Sequence, residues 1–171
     1  NDGYALLEFP TPDLSSGDKI IHAELILAPY MFLDDATSEY SNTNSYDPAL
    51  YITAHKILRA WDETTVTYQS AGTDSGFFDS TVYSYRILDN DNDFYTWDIT
   101  RLASEWTEGG VANHGVLLKF DKSPSNGSIA NAFFCSTNGR YNPVEYYPQI
   151  LYQYINTTGI VTEILTCDIG N

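Results

Sequence analysis

Over most of this chain apolar and polar residues alternate with a period of two, the pattern of β-strands that bury one face. Tyr4-Ala-Leu-Leu-Glu-Phe9 predicts a first strand with Ala5, Leu7 and Phe9 on one side, closed by Pro10 and Pro12. Lys19 to Ala28 predicts a longer strand that turns Ile21, Ala23, Leu25 and Leu27 one way and leaves His22 and Glu24 on the other face with Ile20 and Ile26. Further strands read from Leu50 to Ile57, Thr81 to Leu88, Phe94 to Ile99, Val116 to Phe120, Ile129 to Ser136 and Tyr147 to Tyr154. Pro148 makes the last of these an edge strand or marks its start.

The period changes once. Ile99, Leu102, Ala103 and Trp106 recur at helical spacing, Asp98 or Thr100 can cap the first turn, and Gly109-Gly110 stops it. The expected fold is therefore all-β, an antiparallel β-sandwich with one short helix at about 99–108, anchored across one end by Trp106. Residues 1–155 are expected to form the module and 156–171 a linker or loosely docked tail.

Two connections attract a functional reading. Phe32 to Pro48 is long and polar, and serves either as a binding loop or as a flexible insertion. Thr81–Leu88 and Phe94–Ile99 read as an antiparallel pair joined by Asp89-Asn-Asp-Asn-Asp93. Asp89, Asp91 and Asp93 offer alternate oxygens to a structural calcium ion, without the Gly and terminal Glu of an EF-hand loop; an Asx-rich turn needs no metal. In register, Tyr83, Tyr85, Tyr95 and Trp97 would form an aromatic platform, although the same alternation describes a buried face.

Composition narrows the partners. At 171 residues the chain makes one domain, and fourteen Tyr, eight Phe and three Trp favour strands. Eight basic against twenty-three acidic residues give a net charge of −15, which disfavours nucleic acid and anionic membranes and leaves neutral, cationic or calcium-bridged partners. No stretch of about 18 apolar residues predicts a membrane span. The opening Asn1-Asp-Gly-Tyr4 has no starting Met and no leader, as expected of an excised piece. Cys135 and Cys167 are expected to be unpaired.

Catalytic signatures are missing: there is no nucleophile elbow, phosphate loop, His-Glu-x-x-His or Cys-x-x-Cys, and His22, His55 and His114 fall on different elements. Asp62 and Glu63 invite an acid–base reading, but neighbours diverge in an extended chain. Asp62 serves as well to cap a turn while Trp61 packs inward. The expectation is a protein that is not an enzyme.

Several segments in order resemble one family of bacterial and archaeal extracellular modules, the DNRLRE domains grouped with carbohydrate-binding module family 96. They are Ala5–Phe9 with Ser16–Leu25, Trp61-Asp-Glu-Thr-Thr-Val-Thr-Tyr68, Trp97-Asp-Ile-Thr-Arg-Leu-Ala-Ser-Glu-Trp106, Asn113–Lys119 and Tyr147–Tyr152. The resemblance implies a jelly-roll sandwich without an active site, secreted or cell wall-associated, attached to other domains of a parent chain. Asn156-Thr-Thr-Gly159 looks like the junction after such modules in bacterial wall-associated proteins with Rhs or YD repeats. The family pattern opens with earlier strand sequence, so a sandwich lacking its N-terminal strand or strands is expected. The implied function is a carbohydrate-binding module for a polysaccharide or cell-surface glycan. A structural spacer or adhesion module without glycan affinity is the alternative.

Overall fold

The computed structural model describes residues 3–29, 31–34, 39–42, 50–67, 69, 71, 76–88, 94–121 and 146–167. Ten strands and one longer helix are placed among them: β1 (Gly3–Leu7), β2 (Lys19–Leu27), β3 (Met31–Asp34), β4 (Glu39–Asn42), β5 (Leu50–Lys56), β6 (Ser84–Leu88), β7 (Tyr95–Asp98), α1 (Thr100–Thr107), β8 (Val116–Asp121), β9 (Gln149–Asn156) and β10 (Gly159–Thr166). Sheet one has the order β1-β8-β5-β6, sheet two the order β10-β9-β2-β7, and β3 pairs with β4 apart from both. All of these pairings are antiparallel. This is the all-β sandwich that the alternation predicts. The Ile129–Ser136 strand, Cys135 and the Asp89–Asp93 segment lie outside the described residues.

The inner faces meet through the alternate residues of each strand. Ala23, Leu25 and Leu27 of β2 pack with Ile52, Ala54, Leu88, Val116, Leu118, Ile150 and Tyr152. Burial pushes the Tyr152 phenol well above its usual range, with the Glu163 charge a smaller cause. On the outer side of sheet one a smaller core of Ile57, Ala71, Phe77 and Leu117 forms where the β5–β6 connection folds back over the strands.

Three expectations need correction. The predicted hairpin of Thr81–Leu88 with Phe94–Ile99 does not form: β6 pairs with β5, and β7 pairs with β2. β6 therefore belongs to sheet one and β7 to sheet two. Second, β2 is irregular between Ile20 and His22, which leaves Ile20 at 8% exposure and Ile21 at 41%. The alternation that turns Ile21 inward fails at this bulge, where Glu108 Oε1 accepts the Ile20 N–H at 3.0 Å. Third, the stretch expected to be a tail contains β10, paired with β9 along its whole length from Gly159↔Asn156 to Thr166↔Gln149. Cys167 follows, buried, with its Sγ donating to Glu8 O at 3.1 Å.

Helix α1 is tied at both ends. Asp98 Oδ1 accepts the Thr100 N–H at 2.9 Å and its hydroxyl at 2.6 Å. Thr100 Oγ1 accepts the Ala23 N–H at 3.0 Å, which fixes the first turn to β2. Trp106, Leu102 and Ala103 bury the inner face, as the helical spacing predicts. Beyond the helix, Gly115 takes φ +92°, and a Cβ there would lie 2.1 Å from Leu7 O. Only glycine lets β8 begin so close to the end of β1.

Candidate functional site

Sequence alternation put Tyr83, Tyr85, Tyr95 and Trp97 on one platform, and the fold divides them. Tyr95 and Trp97 are fully buried between the sheets, across from Leu27 and Leu25 of β2. Trp97 Nε1 donates to Ile52 O at 3.3 Å and so bridges sheet two to sheet one. A platform of four rings is therefore corrected to an exposed contribution from β6 alone. The reason is that β7 lies in the second sheet, where its aromatic face is the inner one.

Tyr83 is half-buried and engaged in a charged cluster. Its hydroxyl donates to Glu105, 3.1 Å from Oε2 and 3.3 Å from Oε1. Its ring lies 5.6 Å from Lys56 Nζ and 4.9 Å from Arg101 Cζ. Lys56 Nζ reaches Glu105 Oε2 at 2.7 Å, and Arg101 Nε reaches Oε1 at 3.3 Å one helical turn away. The Lys56 hydrogen bond, with that of Tyr83 behind it, holds the Glu105 carboxyl below the usual carboxylate range. The same bond raises Lys56. This cluster joins the end of β5 to α1 and gives Tyr83 a structural task.

Tyr85 stands clear of it, 59% exposed. Its ring stacks on that of Tyr51 from β5, with centroids 5.2 Å and planes 24° apart. Ile87 beside them is also exposed, so the outer face of β5 and β6 carries a contiguous apolar strip. The strip borders an open cleft of about 560 Å³ where the outer strands of the two sheets, β6 and β7, approach each other. Tyr83, Ser84, Tyr85, Asp98, Thr100 and Arg101 line it. The Thr100 hydroxyl, then its N–H, holds the Asp98 carboxyl below its ordinary value, so the cleft lining includes a carboxylate as well as the Arg101 guanidinium that pairs with Glu105. An exposed ring, a carboxylate, a guanidinium and hydroxyls suit a ligand with an apolar ring face and hydroxyls at its rim.

The remaining candidates have other duties or lie elsewhere. Asp62 Oδ1 accepts the Thr64 N–H at 2.8 Å, and Trp61 Nε1 donates to His114 O at 2.9 Å: the turn cap and the inward tryptophan that the sequence favoured over catalysis. His55 is buried with its ring nitrogens 2.9 Å from Thr53 Oγ1 and 3.0 Å from Asp79 O. His22 lies 4.0 Å from Glu24. Asp89, Asp91 and Asp93 lie outside the described residues, as does much of the Phe32–Pro48 connection. Among the described residues no three His, Cys, Asp or Glu side chains gather as metal ligands would. Also among them, no helix is long and apolar enough to cross a membrane.

Sequence reasoning missed Tyr51. Its signal was present in the alternation of polar Tyr51, Thr53 and His55 with apolar Ile52 and Ala54, although Thr53 and His55 are themselves buried. That alternation puts Tyr51 on the outer face, but only the pairing of β5 with β6 brings it to Tyr85. Compared with known proteins, the chain matches no family model and no curated protein.

Proposed function

We propose that this chain is a non-catalytic carbohydrate-binding module of a larger extracellular, cell wall-associated protein, and that it takes a neutral polysaccharide or cell-surface glycan. The observation that carries the reading is the exposed Tyr51–Tyr85 stack beside the cleft of Asp98 and Arg101. A pyranose offers C–H faces that pack on such a ring and hydroxyls that a carboxylate and a guanidinium can bind. The net charge of −15 works against polyanionic glycans. The resemblance to DNRLRE modules points the same way. Calcium enters this reading only as a brace or bridge held by Asp89, Asp91 and Asp93.

Retention on a panel of insoluble and gel-embedded polysaccharides, with calcium and with chelator, tests the proposal. Retention by at least one neutral glycan, lost in Tyr85→Ala, is the expected result. A folded protein that no glycan retains under either condition overturns it and leaves the spacer or adhesion module.

A further inference from the structure

A second hollow opens on the outer face of sheet one, where the β5–β6 connection folds against β1. It encloses about 310 Å³ and is lined by Tyr4 and Leu6 of β1 and by Trp61, Glu63, Val66 and Thr67 of the connection. Ligand pockets run from about 300 to 1,000 Å³, so this one suits a single ring rather than a run of chain.

Its walls are set before any ligand arrives. The indole of Trp61 is pinned through Nε1 to His114 O at 2.9 Å. The ring of Tyr4 packs at 48° against Phe78, with centroids 6.2 Å apart. Beneath them lie buried Ile57, Ala71, Phe77 and Leu117. A preorganised pocket loses less entropy on binding than one that must assemble.

Among the described lining residues Glu63 carries the single formal charge. Two aromatic rings attract a cation through their negative faces, and the carboxylate supplies the counter-charge. The acidic chain, at −15, raises the local concentration of cations and repels anions. Leu6 and Val66 leave apolar wall for the body of the ligand, and the Thr67 hydroxyl is a hydrogen-bonding group for its rim.

We infer that the Tyr4–Trp61–Glu63 pocket binds a sugar ring that carries a protonated amine, a hexosamine with its nitrogen free, with the ring on the aromatic walls and the ammonium at Glu63. The inference rests on the glycan reading for the ring body. The amine is assigned to Glu63 of this pocket, whose lining shares no residue with the Tyr85 cleft.

The test is calorimetric titration of the full chain, at mildly acidic pH, with a glucosamine tetramer and with its fully N-acetylated counterpart. Acetylation removes the charge and keeps the ring. The free-amine tetramer is expected to bind at least about tenfold more tightly, as a desolvated cation–π contact with a counter-charge supports. Glu63→Gln is expected to abolish that preference. Glu63 is exposed, so this variant should melt with the parent protein. Equal affinity for the two tetramers, no binding of either, or a preference that survives Glu63→Gln overturns the inference. Two variants separate the sites. If Tyr85→Ala abolishes binding and Glu63→Gln leaves it unchanged, the pocket fails and the glycan cleft stands. If the amine preference follows Glu63 and no neutral glycan is retained, the pocket stands and the cleft fails.

Discussion

Tyr51 and Tyr85 stack across β5 and β6 on a diagonal, because register sets Tyr51 opposite Ile87 and Thr53 opposite Tyr85. Both rings stay exposed at 38% and 59%. Tyr85→Ala is expected to weaken glycan retention roughly tenfold while shifting stability by less than about 0.5 kcal/mol. Affinity electrophoresis in polysaccharide gels, run beside urea denaturation, reads both quantities.

Trp97 should behave in the opposite way. Its side chain is fully buried and its Nε1 reaches Ile52 O in the other sheet. Trp97→Ala is expected to cost about 3–5 kcal/mol, mostly from the cavity it leaves. A denaturation midpoint close to that of the parent protein would contradict the placement of this ring between the sheets.

Gly115 supports a close approach of two strands rather than a flexible loop. Gly115→Ala puts a Cβ 2.1 Å from Leu7 O in a backbone conformation of φ +92°. The expected loss is about 3 kcal/mol or more, seen as a lowered thermal midpoint. Gly110→Ala is the control, since its φ is also positive but no atom lies within 4 Å of its added Cβ.

The Lys56–Glu105 pair makes stability depend on pH at both extremes. Glu105 is depressed below its ordinary 4.5 by the Lys56 hydrogen bond, so its contribution is complete above 4.5 and is lost as pH falls through the folded value. Lys56 is raised above 10.5, chiefly by the Glu105 hydrogen bond, so its contribution is complete below 10.5 and is lost as pH rises through the folded value. Glu105→Gln is expected to cost roughly 1–3 kcal/mol at neutral pH, a range set by charge-assisted hydrogen bonds. It should also flatten the acid side of the stability profile, measured by urea denaturation from acid to neutral pH.

Removing residues 157–171 tests whether β10 belongs to the sandwich. Leu165 and Cys167 pack on the main core, and β10 covers the edge of β9 beside buried Tyr152 and Ile150. The shortened chain is expected to lose cooperative unfolding, or to expose apolar surface that binds a hydrophobic dye. Unchanged calorimetric unfolding would make β10 dispensable.

Local chemistry in the sequence carries much of this architecture. Alternation marks the inner residues of β2 from Ala23 to Leu27, and helical spacing marks Leu102, Ala103 and Trp106. Each is legible because it depends on neighbours two to four positions away. Strand partners are not of that kind. β7 carries the same alternation whether it pairs with β6 or with β2, so the choice that buries Tyr95 and Trp97 belongs to the assembled sheets. The same holds for the Ile20 bulge, where the backbone N–H meets a carboxylate 88 residues away, and for β10, whose weak pattern acquires a role only beside β9. The candidate cleft is tertiary throughout: Tyr85 meets Tyr51 because β6 pairs with β5, and it shares the cleft with Asp98 and Arg101 because two sheets end side by side, relations set by long-range packing rather than by local period.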